Sequence, residues 1–149
     1  MAKRFRFRLK VIGAGRNEVA LSGVEIENLA WRMDEEVSDL QSFDIGLYPI
    51  VRDEWSEGKS GFKAIQYLAI GIPYVATPVG ACAEIGEPGL THFAAQSGDE
   101  WYAALAHLLS DGARRARMGE AARRHSLAHY TLPVQTQKLA RALRQAQLT

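Results

Sequence analysis

The chain has 149 residues, of which 47% are hydrophobic, and a formal net charge of +1. This length and composition fit one compact domain with a substantial core and exclude a disordered chain. The mixed distribution of acidic and basic residues gives no reason to expect a nucleic-acid partner. A single cysteine, Cys82, excludes an internal disulfide and is compatible with a reducing cytoplasm.

The N-terminal part of the chain alternates predicted strands and helices. Residues 5–13 alternate charged and apolar side chains, which predicts a strand rather than a signal peptide or a membrane span. Further strands are predicted in VEIENLAW, IGLYPIV, YVATPV and THFAAQ, and helices in DEEVSDLQSF and GFKAIQYLAI. We predict that Phe62, Ile65 and Ala69 form the core face of the second helix. This alternation predicts an α/β fold, with a parallel sheet covered by helices on both faces.

The C-terminal third is predicted to be helical. The segment GDEWYAALAHLLSD places four apolar side chains on one helix face: Trp101, Leu105, Leu108 and Leu109. Two more helices are predicted at about 113–129 and 133–146, the second because proline suits a first helical turn. A doubly wound sheet normally opens with a strand and a helix before the strand predicted at 5–13. We therefore expect the chain to lack such a unit.

Ligands of such folds bind beyond the carboxyl ends of the strands, so three loops are candidate sites. The first, GAGRNE, contains Gly13 and Gly15 but has Glu18 where a dinucleotide-binding motif has its third glycine, so a nicotinamide site is not expected. This loop is either a plain glycine turn or a segment from which Arg16 reaches a phosphate. The third, TPVGACAEI, is a turn beside a short helix that bears Glu84, and is weak evidence alone.

The second loop, VRDEWSEGKSGFK, is the strongest candidate for a binding site. Free N–H groups around Ser60 and Gly61 at the start of a helix, with the charge of Lys59 or Lys63, suit a diphosphate. One turn further, Gln66 suits the hydroxyl groups of a ligand. The alternative is that Ser60 only caps the helix and that both lysines are solvated.

Other chemistries are not supported by the sequence. Residues 58–60, Gly-Lys-Ser, resemble the end of an ATP-binding P-loop, but Asp53 stands where that motif needs a glycine. His125 and His129 have the i, i+4 spacing of metal ligands, yet no acid or cysteine accompanies them, so we expect no metal site. Cys82 has no identifiable partner for nucleophilic catalysis, and no catalytic residue is identified.

Several of these stretches resemble a known family. FDIGLYP, EGKSGFKAIQYLAIGIPYVATPVGACAEI, GDEWYAALAHLLSD and RARMGEAARRHSLAHYT are similar, in order and spacing across roughly residues 5–147, to the C-terminal domain of family 4 (group 1) retaining glycosyltransferases. The most specific part is QYLAIGIP at 66–73, which resembles the family's Glu-Ala-x-Ala-x-Gly-x-Pro. The resemblance implies half of a GT-B enzyme, with a Rossmann-like parallel sheet, helices on both faces and a helical C-terminal third.

The resemblance also implies site residues. In the family this domain binds a nucleotide-sugar donor, such as a UDP- or GDP-sugar, without a further cofactor or a metal, and the last Glu of a Glu-x7-Glu motif binds the ribose. The two glutamates correspond to Gly58 and Gln66, so both positions depart from the motif. Glu57 replaces the first only through a shifted loop, whereas Gln66 keeps groups that bond a ribose hydroxyl. GAGR corresponds to the family's glycine-rich loop in a shortened form.

A GT-B enzyme has an N-terminal Rossmann-like domain that binds the acceptor, and its active site lies between the two domains. We expect residues 1–149 to be a single domain without that partner and therefore to show negligible glycosyl transfer alone. An apolar face toward the missing domain, hidden by self-association, is a further expectation. The location implied is cytoplasmic, or peripheral at the inner membrane in the full enzyme. The alternative function is a non-catalytic α/β nucleotide-binding or protein-interaction module.

Overall fold

The computed structural model describes residues 1–16 and 18–146 and confirms the α/β class. The strands are β1 (Arg8–Ile12), β2 (Glu25–Leu29), β3 (Gly46–Tyr48), β4 (Tyr74–Ala76) and β5 (His92–Ala94). The helices are α1 (Glu36–Gln41), α2 (Glu54–Glu57), α3 (Phe62–Ile70), α4 (Gly98–Ser110), α5 (Gly112–His129) and α6 (Leu132–Ala146), with a 3₁₀ turn at Gly80–Glu84. Every predicted element is present, and α2 is a single helical turn that periodicity does not reveal.

The five strands are divided between two parallel sheets. β1 pairs with β2, and β3, β4 and β5 form a three-stranded sheet with β4 in the centre. No ladder joins β1 to β3 among the described residues. An ion pair of 3.0 Å between Lys10 of β1 and Asp39 of α1 links the two-stranded sheet to the rest of the domain. Parallel pairing is as predicted, but the division of the sheet is not visible in the sequence.

The three-stranded sheet is covered on both faces. Tyr74 and Ala76 of β4 point into a core that contains Leu68 of α3, whereas Val75 points into a second core that contains Leu108 of α4. Successive residues of a strand face opposite sides, so a strand of three residues contributes to both cores. The sheet is therefore buried on both faces, as parallel sheets require.

The core face of α3 differs from the predicted one. The buried residues of the helix are Ala64, Tyr67 and Leu68. Phe62 is 62% exposed, and Ile65 and Ala69 are only partly buried. A short helix that is apolar on most sides has no single apolar stripe, so its contacts with β3, β4 and α5 select the buried face.

Three of the four residues predicted for the core face of α4 belong to the second core, whereas Leu109 is only partly buried and does not, and a capping box forms at the N-terminus of the helix. Leu108 is fully buried, and Trp101 and Leu105 pack against the same core. At the N-terminus, the Ser97 hydroxyl accepts the Glu100 N–H at 3.2 Å, and the Glu100 carboxylate accepts the Ser97 N–H at 3.0 Å. This reciprocal capping box satisfies two N–H groups that the helix leaves unpaired.

A buried histidine lies at the start of β5. His92 is 3% exposed, and its ring stacks on Tyr74 with 4.7 Å between the ring centroids. Its Nδ1 lies 3.0 Å from the Thr91 hydroxyl oxygen. Burial, with a smaller contribution from the nearby His125, lowers the pKa of His92 from 6.5 to about 4.

We expect this histidine to make the protein less stable in mild acid. Because the folded-state pKa lies below the unfolded value, the unfolded chain binds the proton first, and stability is lost as pH falls from about 6.5 toward 4. Between pH 7 and pH 5 the free energy of unfolding should fall by about 2 kcal/mol. Urea titrations at both pH values measure this fall, and His92→Gln should remove most of it. An unchanged pH dependence in His92→Gln would contradict the assignment.

Candidate functional site

Two loops at the carboxyl ends of β3 and β4 pack against each other. The Glu57 carboxylate accepts the Gly80 N–H at 2.9 Å through one oxygen and pairs with Arg52 at 2.8 Å through the other. Arg52 also donates to the Pro78 carbonyl at 2.8 Å. We call Arg52, Glu57 and Gly80 the loop clamp. Both oxygens of Glu57 are thus engaged in holding the two loops together.

The N-cap of α2 is Asp53, which stands where a P-loop would have its glycine. The Asp53 carboxylate accepts the Ser56 N–H at 2.7 Å and caps the helix. Hydrogen bonds from Ser56, and to a smaller extent the charge of Lys59, lower the pKa of Asp53. Gly58 ends α2 with an ordinary helical φ of −82°. The loop therefore folds as a capped helical turn.

Helix α3 begins without a capping side chain. Its N-cap is Gly61, in the left-handed region at φ 68°, so the hypothesis that Ser60 caps the helix is wrong. The N–H groups of Gly61, Phe62 and Lys63 have no acceptor among the residues that the structure describes. Unpaired N–H groups at the positive end of a helix attract an anion. The start of α3 is therefore the part of the second loop where unpaired N–H groups face outward from a helix end.

Gly61 also fixes α3 against the neighbouring loop. A Cβ at this position would overlap the Ile85 side chain and lie 3.1 Å from the Cys82 Cα. Only glycine combines this close approach with a positive φ at low cost. The helix start is therefore held by its backbone rather than by a side-chain cap.

The two lysines of the loop lie in different environments. Lys63 lines a cavity of about 480 Å³ together with Glu36 and Trp31. Hydrogen bonds from Gln66 and Trp31, and to a smaller extent the charge of Lys63, lower the pKa of Glu36. Lys59 is exposed and lies near Asp53 instead. The structure thus separates the two lysines, with Lys63 on the side of the cavity.

Gln66 has one free hydrogen-bonding group. Its side chain interacts with Glu36, but its Oε1 atom is buried and has no hydrogen-bond partner among the described residues. A buried acceptor without a donor destabilises the protein. A ligand hydroxyl that reached this oxygen would remove that cost.

The glycine loop after β1 is separate from the loop clamp. Gly13 has a φ of 77°, donates its N–H to the Leu29 carbonyl at 2.9 Å, and would place a Cβ 3.2 Å from the Cβ of Trp31. Gly15 also has a positive φ, with open space around it. Arg16 is exposed and has no hydrogen bond or ion pair with the described residues. Gly13 is required for the turn, and the role of Arg16 stays a prediction.

Three residues of this region were not predicted from the sequence: Arg52, Trp31 and Glu36. Arg52 holds Glu57 and the Pro78 carbonyl, and Trp31 donates to Glu36 at 3.3 Å. The opposite charges of Arg52 and Glu57 are visible in the sequence, but residues five apart are not paired by helix geometry, so the ion pair is seen only in the structure. The pair formed by Trp31 and Glu36 depends on how β2 leads into α1, which no local pattern shows.

The family model described as glycosyl transferases group 1 matches residues 1–111. The chain belongs to this family. The matched part of this group 1 glycosyltransferase chain contains all five strands, the loop clamp and the start of α3, whereas α5 and α6 lie beyond it. No curated protein matches the chain. The predicted resemblance is thus confirmed at the level of the group 1 glycosyltransferases.

The histidines, the cysteine and the helices of this group 1 glycosyltransferase chain have the following surroundings. Within 1–16 and 18–146, no group of three His, Cys, Asp or Glu residues is placed to hold a metal ion. The rings of His125 and His129 lie 4.4 Å apart, and the Glu87 carboxylate lies 3.3 Å from His125, so the premise that no acid accompanies the two histidines is wrong. Cys82 is buried, and burial raises the pKa of its thiol. Over the same ranges, no helix is both long and apolar enough to span a bilayer.

Proposed function

We propose that this chain binds the nucleotide-sugar donor of a retaining, metal-independent glycosyltransferase with the GT-B fold. The observation that carries the proposal is the uncapped start of α3, where the N–H groups of Gly61, Phe62 and Lys63 lack an acceptor within the described part of the chain. This helix start lies at the carboxyl end of a parallel strand, where α/β sheets bind ligands. Membership of the group 1 glycosyltransferases supports a sugar nucleotide as the ligand.

The proposed roles follow from the geometry of the loop. The diphosphate accepts hydrogen bonds from the free N–H groups of α3, and Lys63 adds a charge from the cavity side. Gln66 bonds the ribose through its unsatisfied amide oxygen. Stabilising the departing diphosphate is the contribution that such an anion site makes to glycosyl transfer. Glu57 holds the loops, and a contact with the donor sugar would require it to release Arg52 or Gly80.

The same proposal includes a partner domain. An N-terminal Rossmann-like domain binds the acceptor and completes the cleft, so we expect negligible sugar transfer by the 149-residue chain alone. Exposed apolar side chains near the loops are consistent with a covered face, since Val51 is 77% and Trp55 80% exposed. Self-association is one way to cover them. A cytoplasmic location, or one peripheral at the inner membrane, belongs to the proposal as well.

Calorimetry with UDP and GDP tests the donor site. We expect dissociation constants around 1 mM, because a half-site offers few contacts. Lys63→Ala should weaken binding by about tenfold or more, since a charge-assisted contact contributes about 1.5–3 kcal/mol, and Gln66→Ala by about fivefold. Lys59→Ala should have the smaller effect of the two lysine substitutions. Lys138→Ala, on the exposed side of α6, is the matched control and should bind normally.

Chemical-shift mapping with the same nucleotides locates the site. Perturbed amides at 57–66 support the proposal, whereas changes confined to α5 and α6 would overturn it. The complete engagement of Glu57 favours a second candidate, a non-catalytic interaction module that keeps the fold. Neither UDP nor GDP would bind such a module, so the absence of binding would favour it.

A further inference from the structure

Positive and negative charges are unevenly distributed along this chain. Residues 112–149 contain eight Lys and Arg and one acidic residue, a formal charge of +7. Residues 1–111 contain ten Lys and Arg and sixteen Asp and Glu, a formal charge of −6. The net charge of +1 for the whole chain does not show this separation. Such a charge asymmetry indicates that the basic part, which comprises α5 and α6, meets an anionic partner.

The cations of α6 are not used within the protein, unlike several of those in α5. Arg115 of α5 donates to the Leu108 carbonyl at 2.7 Å, and Arg124 pairs with Glu120 at 2.6 Å. Helix α6 contains no acidic residue, and its cations form no hydrogen bond or ion pair with the part of the chain that the structure describes. These cations are Lys138, Arg141 and Arg144. They are therefore available to a partner.

Helix α6 also carries a line of leucines that the domain does not cover. None of its residues is buried, and Leu132, Leu139 and Leu143 are between 59% and 81% exposed. At about 100° per residue, these three lie within about 40° of one another and extend along about 16 Å of the helix axis. We call them the leucine stripe. The partly buried residues of the helix, Val134 and Ala140, lie outside the stripe, which therefore faces solvent.

Two of the three cations flank the leucine stripe. Helix geometry places Lys138 and Arg144 about 120° to either side of its centre and Arg141 on the opposite face. Long basic side chains extend beside an apolar surface and hold their charge in the polar layer next to it. A helix lying flat with its leucines inserted in a bilayer would thus hold Lys138 and Arg144 near the lipid phosphates and direct Arg141 away.

An anionic bilayer matches this surface better than other partners do. A nucleic acid offers phosphates but no apolar surface for the leucine stripe. A second copy of α6 would bring three further positive charges beside the first three, which repel. An acidic protein would need a groove shaped to one convex helix, whereas a bilayer presents hydrocarbon and phosphate as a plane along the whole stripe.

We propose that α6 binds the surface of an anionic lipid bilayer, with its leucine stripe inserted and with Lys138 and Arg144 at the lipid phosphates. Amphipathic helices bind in this way when the burial of apolar side chains and the attraction of basic side chains to anionic lipid act together. The proposal goes beyond a peripheral location because it names the helix face and the lipid class. It does not depend on donor binding.

Vesicle sedimentation with the full chain tests the proposal. One set of vesicles contains phosphatidylcholine alone, and the other contains about 40% phosphatidylglycerol, both in about 0.1 M salt. We expect the partition constant for the phosphatidylglycerol vesicles to be about tenfold larger or more. Raising the salt to about 1 M should remove most of this difference, because it shortens the screening length to about 3 Å.

Paired leucine substitutions test the insertion of the stripe. Leu139→Gln/Leu143→Gln should weaken binding to the phosphatidylglycerol vesicles by about tenfold or more, because it removes two inserted side chains. The matched control, Leu21→Gln/Leu90→Gln, replaces two leucines of similar exposure outside α6 and should bind as the unmodified chain does. Far-UV circular dichroism of both variants checks that the helices are retained.

Paired arginine substitutions test the orientation of the helix. Arg144→Gln should weaken vesicle binding by about fivefold, since a basic side chain near an anionic surface contributes about that factor. Arg141→Gln removes the same charge from the opposite face and should weaken binding by about twofold or less. Equal effects of the two would overturn the proposed orientation.

Four further results would overturn the proposal. Equal binding to both kinds of vesicle, or to neither, would exclude an anionic bilayer as the partner. Vesicle binding that is unchanged in Leu139→Gln/Leu143→Gln would show that the leucine stripe does not insert. Inorganic polyphosphate that binds as tightly as the vesicles, with no effect of the leucine substitutions, would assign the basic helices to soluble polyanions. A dimer in sedimentation that becomes a monomer in Leu139→Gln/Leu143→Gln would assign the stripe to a second copy.

Discussion

Replacing Gly80 by alanine should lower the free energy of unfolding by about 3 kcal/mol. Gly80 has a φ of 51°, a left-handed conformation that costs a side-chain-bearing residue about 1–2 kcal/mol. A Cβ here would also overlap the Glu57 carbonyl oxygen and lie 2.9 Å from its carbon. Backbone atoms cannot rotate away as a side chain does, so the two loops would have to separate, at a further cost of about 1–3 kcal/mol.

Urea denaturation measures the loss, and Gly89→Ala is the matched control. Gly89 also has a positive φ, of 82°, but nothing lies within 4 Å of its Cβ position. Gly89→Ala therefore reports the conformational cost alone, about 1 kcal/mol. Equal effects of the two substitutions would show that Gly80 and Glu57 are not in close contact. Gly80→Ala should also weaken UDP binding, since separating the loops moves the start of α3, whereas Gly89→Ala should not.

Gly119→Ala should destabilise the protein by about 3 kcal/mol although alanine is the better helix former. Gly119 lies within α5, where its Cβ position overlaps the carbonyl oxygen of Gly71 and lies 3.2 Å from the carbonyl carbon. Gly71 ends α3 in a left-handed conformation, at φ 83°. Arg123 of α5 donates to the Ala69 carbonyl beside it. Alanine would force the two helices apart, which outweighs the gain of about 1 kcal/mol in helix propensity.

Thermal and urea unfolding of Gly119→Ala should be compared with Gly98→Ala. Gly98 is the first residue of α4, with no atom within 4 Å of its Cβ position. Alanine there should leave stability unchanged or raise it slightly. A Gly119→Ala protein as stable as the Gly98→Ala protein would mean that α3 and α5 are not in backbone contact.

The loop and helix that form the candidate site could be predicted from the sequence. The residue that caps the helix and the contacts that hold the loop could not. A glycine-bearing loop before an amphipathic helix indicated an anion site at 57–66, because the pattern is local. That Gly61, and not Ser60, is the N-cap of α3 depends on Ile85 and Cys82, which lie more than 20 residues further on. Glu57 was a candidate ligand-binding residue in the sequence. The structure shows that it also holds Gly80, a contact between two loops that no spacing rule reveals.

The sequence by itself determined the α/β class, the positions of the strands and longer helices, and the family. These follow from side-chain periodicity and short motifs, which act between neighbours in the chain. The tertiary structure alone decided which face of α3 is buried, that His92 is held neutral in the core, and that the sheet divides between β1 and β3. Each of these depends on groups far apart in sequence that compete for the same buried space or the same hydrogen bond. The outcome of that competition is set by packing and by backbone pairing across the domain, which local pattern does not encode.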